Sequence, residues 1–220
     1  MTTAITESTQ ERVVHLTGTL IAPLQRGYLA DEPHAVAALA RLRRGAGRTA
    51  GQVPDLWGLL DLDPLHEPPD DRTRPLSERE LVRAENAVLL ALTLWAFHQQ
   101  SRGSAMHVPD SHKDPRGLGA ATRRLMPPDD VTEPVRRRLV RAGTAPDLPT
   151  LAQRLRELVS LLRGEDVALD YALLAGQLYA WQWPGGAVPV RAAWGRSFHA
   201  FRHTKQKAAA DDGQPAIPSP

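Results

Sequence analysis

The sequence contains no cysteine, and this absence removes several classes of function at once. Disulfide bridges, zinc sites built on thiolates and cysteine nucleophiles are all excluded. The most apolar run spans only residues 87–97, whereas a membrane-spanning helix needs about 18 or more such residues. The first ten residues lack the basic and apolar regions of a secretory signal. We therefore expect a cytoplasmic protein without membrane contact.

Lysine is nearly absent as well, because 24 of the 27 basic residues are arginine. Residues 91–207 contain 17 of these cations against 10 acids, so this half carries a net charge of +7 while the whole chain carries +2. A guanidinium group forms paired hydrogen bonds with phosphate, which favours contact with a nucleic-acid backbone. A GC-rich coding sequence or ordinary solvated helix faces would give the same composition, so both interpretations stay open at this point.

Alternating β-type runs with hairpin turns are absent, and signals for helix starts and ends recur along the chain. The pattern predicts an all-α fold, a compact bundle of about eight to nine helices. The first helix is expected over residues 9–24, and the second over 31–44 with Pro33 in its first turn. Ser77 and Glu80 form a capping-box pattern that opens a long helix to about Gln100. Its apolar stretch at 87–97 should make it the central helix.

Helices also account for most of the second half of the chain. A short helix is expected over 116–125, then one capped by Thr132 that carries a dense basic stripe, then one over 148–163 with an apolar face. Asp170 should cap a helix that ends near Trp183, and a last helix should cover 188–203. The basic stripe consists of Arg136, Arg137, Arg138 and Arg141.

Disorder is predicted for residues 1–8 and for a tail over 206–220, which leaves a helical domain over 9–205. This domain can be divided into two sub-bundles, about 9–125 and 130–205. Residues 61–75 contain four prolines and seven charged residues, and we interpret them as an exposed loop inserted in the first sub-bundle.

No enzymatic or metal site emerges from the motifs. His199 and His203 are four residues apart, but Ala200 stands where a metalloprotease has its glutamate, so a metal site is not predicted. Neither a dinucleotide fingerprint nor a phosphate-binding P-loop is present. Trp57, Trp95 and Trp194 lie among apolar residues and should be in the core. Trp181 or Trp183, before a Pro-Gly-Gly turn, could instead stack on a base or contact a partner.

Donor-rich residues follow the central helix. Arg102 and Lys113 stand in this polar segment, which is a candidate site for backbone phosphates. Several segments then follow in a distinctive order: H-Q-Q-S-R at 98–102, M-H at 106–107, L-x-x-x-L-x-x-L-V-S-L-L-R at 151–163, L-D-Y with L-Y-x-W at 169–181, and W-G-R-x-F at 194–198.

This series, over about residues 10–203, resembles the CasB family, the small subunit of the type I-E CRISPR surveillance complex Cascade. The resemblance implies an all-helical, non-enzymatic protein without a cofactor that sits as two copies in the complex. Its partners would be the backbone and large subunits, a second copy of itself, guide RNA and target DNA. Guide RNA reads the sequence, and the protein's cations would stabilise the displaced DNA strand of the R-loop.

The resemblance, together with the donor-rich segment, assigns nucleic-acid binding to a set of cations. Relatives often have an arginine in the segment that reads Gly117-Leu118-Gly119-Ala120-Ala121 here, so Arg116 or Arg123 would substitute for it. The full predicted set is Arg43, Arg44, Arg48, Arg102, Lys113, Arg116, Arg123, Arg124, Arg136, Arg137, Arg141 and Arg191.

Two other functions fit the same residues. A stand-alone helical DNA-binding regulator would need a recognition helix and a preferred site. A purely structural subunit would use its arginines to contact carboxylates of neighbouring proteins.

Overall fold

A computed structural model describes residues 8–56, 58–68, 74–127 and 130–211, with side chains as far as Phe201. In this part of the chain the secondary structure is helical, with nine α-helices and short 3-10 turns and without a sheet. The all-α prediction is therefore confirmed. The helices are α1 Thr9–Leu29, α2 Pro33–Leu42, α3 Asp63–His66, α4 Glu78–Gln99, α5 Leu118–Arg124, α6 Glu133–Gly143, α7 Leu148–Gly164, α8 Tyr171–Trp181 and α9 Ala187–Asp211.

The central helix is α4, as predicted. Ser77 and Glu80 form the expected capping box at its start. Its side chains from Ala87 to Ala96 are buried on every face, and Trp95 has no exposed surface. The helix packs against α1, α2, α7 and α8, so it needs apolar residues all around rather than along one stripe.

Two helices of the second half of the chain, α7 and α8, pack on this helix. On α7, the stripe of Leu151, Leu155, Leu158, Val159 and Leu162 is fully buried. Asp170 caps α8 by accepting a hydrogen bond from the Leu173 N–H at 2.9 Å. Both predicted sub-bundles contribute to one core cluster that contains Val13 as well as Phe198.

Some helix ends differ from the prediction. Helix α1 continues through Pro23 to Leu29, rather than ending near residue 24. Proline has no N–H, so the carbonyl oxygen one turn earlier in the helix loses its donor, and because Pro23 is exposed, water can bond that oxygen instead. Ile21 and Tyr28, on either side of Pro23 in the sequence, pack inward. Thr132 occupies the N-cap position of α6, but its side chain makes no capping hydrogen bond. Helix α9 extends to Asp211, beyond the predicted end at 203.

The segment over 61–75 is less exposed than expected. It contains α3, whose Leu65 is 1% exposed and joins the core. The buried guanidinium of Arg12 donates to the carbonyl oxygens of Pro64 and Glu67, both at 2.7 Å. These bonds fasten the segment to α1. Disorder is predicted for 1–8 and 206–220, but Ser8 is the N-cap of α1 and residues 206–211 belong to α9. The rest of these two segments, residues 69–73 of the loop and the core position predicted for Trp57 lie outside the described residues.

Candidate nucleic-acid interface

Three of the predicted cations, Arg43, Arg44 and Arg48, lie exposed where α2 ends. The helix tightens there into a 3-10 turn, Arg43–Gly45. A Cβ on Gly45 would come within 2.8 Å of Leu56 and Thr93 side chains, so the turn is pressed against α4. None of the three arginines forms an ion pair with an acid in the part of the chain that the structure describes. They remain available to an external anion.

The same edge continues along α7 with two arginines that the sequence reasoning did not select. The guanidinium groups of Arg156 and Arg163 lie over the ring of Phe97, at 5.1 and 5.6 Å from its centroid. Gly47, with φ +82°, sits against the stem of Arg156 and links this region to Arg48. Seven-residue spacing on one helix could have identified the pair, but contact with Phe97 depends on the tertiary fold.

Arg102, which was predicted, lies at the far end of this edge and forms an ion pair with Asp166 at 3.1 Å. Arg163 donates from Nε to the carbonyl oxygen of Gln100 at 3.1 Å, so the two arginines lie on neighbouring segments. We call this edge the α2–α7 surface, which comprises Arg43, Arg44, Arg48, Arg102, Arg156 and Arg163.

The polar segment after α4 is held by a buried hydrogen-bond network. The side-chain oxygen of Gln99 accepts from the Met106 N–H, and that of Gln25 accepts from the His107 N–H, both at 2.9 Å. His107 Nδ1 accepts from the Tyr171 N–H at 3.1 Å. His98 Nδ1 lies 2.9 Å from the Tyr171 hydroxyl, and burial lowers the pKa of His98 to about 4. These polar groups anchor the segment to the core and do not point towards an external phosphate.

One carboxylate in the segment binds two predicted cations. Asp114 lies 2.6 Å from Nη2 of Arg116 and also pairs with Nη2 of Arg124. Hydrogen bonds from Arg124, and less strongly from Arg116, hold the pKa of Asp114 below its usual range. Arg124 also stacks over Phe201 at 4.7 Å, whereas Lys113 is exposed. We call Asp114, Arg116 and Arg124 the Asp114 triad.

Arg123 does not fit its predicted role. Its side chain is 2% exposed, and Nη1 donates to the carbonyl oxygen of Pro127 at 2.7 Å and to that of Met126 at 3.3 Å. These bonds close the turn after α5. A sequence pattern could not separate Arg123 from Arg124, because the two adjacent side chains differ only in the direction they take from a short helix.

Helix α6 carries a second triad. Glu133 accepts from Nε and Nη2 of Arg136 at 2.7 and 2.9 Å, and from Nε of Arg137 at 3.0 Å. Hydrogen bonds from Arg136, and then from Arg137, lower the pKa of Glu133 to about 2. We call these residues the Glu133 triad.

The other arginines of α6 and its neighbour are less constrained. Arg138 donates to the carbonyl oxygen of Pro134 at 3.2 Å, within its own helix. Arg141 and Arg191 are exposed, and the stem of Arg191 lies over Gly143. Arg136, Arg137, Arg141 and Arg191 form what we call the α6 surface.

The α6 surface and the α2–α7 surface lie on opposite flanks of α7. Arg154 donates to the carbonyl oxygen of Arg141 and so faces α6, whereas Arg156 faces Gly47 and Phe97. Two residues along a helix correspond to a rotation of about 200°. Leu155, which is fully buried, stands between the two flanks. The predicted cations are thus not gathered in one region, because the α2–α7 surface and the α6 surface are separate and Arg116 and Arg124 belong to the Asp114 triad.

The four tryptophan side chains that the structure describes are largely internal. Trp95 and Trp194 are buried as predicted, and Trp181 is 8% exposed. Trp183 is half-buried, with Arg83 stacked over it at 4.1 Å from the ring centroid. Arg83 therefore covers one face of the Trp183 ring.

Residues of metal-ligand type do not come together in groups of three or more within the described ranges. His199 is exposed on α9, and the side chain of His203 lies beyond those that the structure describes. Among the described helices, none combines the length and the hydropathy that crossing a membrane requires.

Fold and surface together define a class: a helical bundle with arginine clusters on two flanks. The family model of the CRISPR-associated protein Cse2 matches residues 38–199, and the chain belongs to this family. A crystal structure of CasB from Thermobifida fusca is similar, with 46% identity and a TM-score of 0.74 over 86% of this chain and 98% of that one.

Two further solved structures share the fold. A chain of a CRISPR RNA-guided surveillance complex has 20% identity and a TM-score of 0.61, over 90% of this chain and 99% of that chain. CasB from M. ruber has 23% identity and a TM-score of 0.54, over 91% of this chain and 98% of that chain. No curated protein sequence matches the chain. The resemblance to CasB predicted from the sequence is confirmed.

Proposed function

We propose that this chain is the non-catalytic small subunit of a type I-E CRISPR surveillance complex, Cascade, and that it acts in the cytoplasm as two copies in each complex. Its membership in the Cse2 family and its 46% identity to CasB of Thermobifida fusca support this proposal. In such a complex the guide RNA reads the target sequence by base pairing, and the protein is left to hold nucleic-acid backbones.

The exposed arginines would hold phosphates of the displaced, non-target strand of the R-loop. The observation that carries this role is the set of exposed arginines without an acidic partner in the described part of the chain. Arg43, Arg44 and Arg48 stand on one flank of α7, and Arg141 and Arg191 on the other. Each is attached to a helix or a tight turn that packs on the core, so the backbone that carries it is held in place before binding.

The direct test is binding of the purified chain to single-stranded DNA of mixed sequence in a salt series. Phosphate contacts predict a steep loss of affinity with salt and little dependence on sequence. Replacing Arg136, Arg137 and Arg141 by glutamine should reduce the slope of log K against log salt by up to about 0.7 for each phosphate that is no longer bound. Affinity that does not respond to salt, or an unchanged slope in the triple variant, would contradict the role of these residues.

A second function has an observation in its favour. Asp114 and Glu133 each bind two of the predicted arginines, so carboxylates fit these positions well. The arginines could equally bind carboxylates of neighbouring subunits, which would make the chain a structural subunit. In that case arginine variants would lose assembly, and the free chain would bind single-stranded DNA negligibly.

Co-expression of the tagged chain with the other Cascade subunits and a guide RNA tests the assembly itself. We expect a guide-bearing complex with two copies of this chain, measured by native mass spectrometry. Recovery of the chain alone at low salt would contradict the proposal and favour a stand-alone DNA-binding regulator. Selection from random duplexes would then enrich a motif, which a Cascade subunit should not do.

A further inference from the structure

Four of the cations predicted to bind phosphate are occupied by only two carboxylates. Asp114 bridges Arg116, in the loop before α5, and Arg124, at the end of α5. Glu133 bridges Arg136 and Arg137 on α6. Each triad therefore carries a net charge of +1 rather than +2. The pKa of Asp114 and that of Glu133 are both lowered by their arginines, so both carboxylates stay ionised at neutral pH.

The bonds in the Glu133 triad have the geometry that a phosphate would also use. Glu133 accepts the Nε and Nη2 donors of Arg136 through its two oxygens, in the forked arrangement that carboxylates and phosphates share. The Arg136 and Arg137 side chains are 47% and 73% exposed, so an anion from solution can reach them. Exchange of one exposed carboxylate for one phosphate changes the free energy little, because exposed ion pairs are weak.

The Asp114 triad is more enclosed and ties two elements together. The Arg116 and Arg124 side chains are 21% and 19% exposed, while Asp114 is 46% exposed. The Asp114 carboxylate is thus the member of the triad most accessible to solvent, and it covers the N–H donors of Arg116 and Arg124 that it binds. Arg124 is also fixed by stacking over Phe201 and by a bond from Nη2 to the Pro115 carbonyl oxygen at 3.1 Å. It would keep its place if Asp114 moved away.

We propose that Asp114 and Glu133 occupy phosphate positions in the free protein and yield them to a nucleic-acid strand. The two triads and the α6 surface would then select a continuous backbone over isolated phosphate groups. This inference rests on the proposed function. When a single phosphate replaces one carboxylate, the free energy of binding is close to zero, because one ion pair is exchanged for another. A strand presents linked phosphates to both triads and to Arg141 and Arg191, which have no acidic partner among the described residues. Each phosphate bound therefore raises the local concentration of the next.

The test compares single-stranded DNA binding by wild type, Asp114→Asn, Glu133→Gln and the double variant in a salt series. Glu157→Gln is the matched control, because this substitution removes the same charge. Glu157 is exposed on α7 and forms no ion pair with any described residue. Relative to this control, each single variant should bind about fivefold more tightly, the effect of a unit charge close to a phosphate in water, and the double variant about 25-fold because two separate effects multiply. The salt slope should match the control, because the same arginines contact DNA in every protein.

A second measurement uses inorganic phosphate and thermal unfolding. We expect phosphate to raise the Tm of the double variant clearly more than that of wild type, because its arginines no longer have a carboxylate to bind. If Asp114→Asn fails to fold by circular dichroism, Glu133→Gln carries the test alone, since Glu133 lies on the exposed face of α6.

The possible failures differ from one another. If wild type binds DNA but the variants bind no more tightly than Glu157→Gln, the inference is wrong and the proposed function stands. If a variant has a slope steeper than the control by about 1.4, two arginines that were blocked in wild type have begun to bind phosphate, and the exchange is refuted. If neither wild type nor any variant binds, the proposed function is wrong and this inference falls with it.

Discussion

Individual carboxylates fix the starts of several helices in this protein. Glu80 is the strongest example, because it is 8% exposed and accepts hydrogen bonds from both Ser77 and Arg74. Hydrogen bonds from Arg74, and then from Ser77, lower its pKa from 4.5 to about 2. The ionised form is therefore the one that the folded state prefers, and its contribution to stability must depend on pH.

We predict that Glu80→Gln lowers the free energy of unfolding by about 1–2 kcal/mol at neutral pH, because a neutral amide forms weaker bonds with Arg74 and Ser77. A depressed carboxyl pKa stabilises the fold above the unfolded value of 4.5 and loses this effect as the pH falls towards 2. The difference between wild type and variant, measured by urea unfolding, should shrink over that interval.

Glu78→Gln is the control, since it removes the same charge from the first turn of α4 without touching the capping box. It should change stability by about a few tenths of a kcal/mol, with little pH dependence over the same interval. A Glu80→Gln effect that stays constant down to the folded-state pKa would show that packing, not ionisation, is responsible.

Residue identity predicted the capping carboxylates but not the paired arginines of the interface. Ser77 with Glu80 and Asp170 stand at fixed distances from a helix start, so the sequence alone identifies them. Glu133 precedes its arginines by three and four residues, and this spacing could have revealed the triad. Asp114 reaches Arg124 from a loop, and only the path of that loop brings the two side chains together.

At the scale of helices, the contact between α5 and α9 depends on one glycine. A Cβ on Gly119 would lie 1.9 Å from the Trp194 carbonyl oxygen and 2.7 Å from the Phe198 nitrogen. Backbone atoms cannot move aside as side chains can, so α5 can approach α9 this closely only with glycine at this position. Gly195, on α9 itself, faces open space instead.

We predict opposite effects for alanine at these two glycines. Gly119→Ala should destabilise the protein by about 3 kcal/mol, because α5 must move away from α9. Gly195→Ala should stabilise it by up to about 1 kcal/mol, because alanine favours the helix and meets no neighbour. Urea unfolding of both variants checks this directly. Equal effects of the same sign would mean that α5 and α9 are not packed as closely as described.

Periodicity and capping signals predicted where most helices lie in the sequence, but they did not predict where the helices end or how closely they pack. The apolar stripe of α7 predicted its buried face, and the stretch of α4 that is apolar on every side predicted its central position. The sequence analysis predicts that α1 ends at residue 24, yet the helix continues to Leu29 and Pro23 within it is exposed. Leu65 joins the core in a segment that Arg12, on another helix, holds through bonds to the carbonyl oxygens of Pro64 and Glu67. Such effects join residues far apart in the sequence.

At the scale of the whole molecule, α7 lies between the α2–α7 surface and the α6 surface. Arg154 and Arg156 diverge from this helix towards α6 and towards Phe97, respectively. The α2–α7 surface and the α6 surface therefore share no arginine and no carboxylate in the described part of the chain. A long single strand can contact both surfaces, whereas neither surface depends on the other for its structure.

We predict that their contributions to DNA binding are additive. One variant replaces Arg43, Arg44 and Arg48 by glutamine, another replaces Arg136, Arg137 and Arg141, and a third combines all six changes. With a single strand long enough to span the protein, each triple variant should reduce the salt slope by up to about 2, the effect of releasing three phosphates. The combined variant should show the sum of the two reductions, because distant sites that share no partner act independently.

Fluorescence anisotropy titrations across a salt series give these slopes, and circular dichroism confirms that each variant is folded. A combined reduction well below the sum would mean that the strand follows one surface at a time. A reduction confined to the Arg136 variant would assign the α2–α7 surface to another partner, and the co-purified complex would then show which subunit contacts it. Additive reductions would instead support one strand held on both flanks of α7, as the proposed function requires.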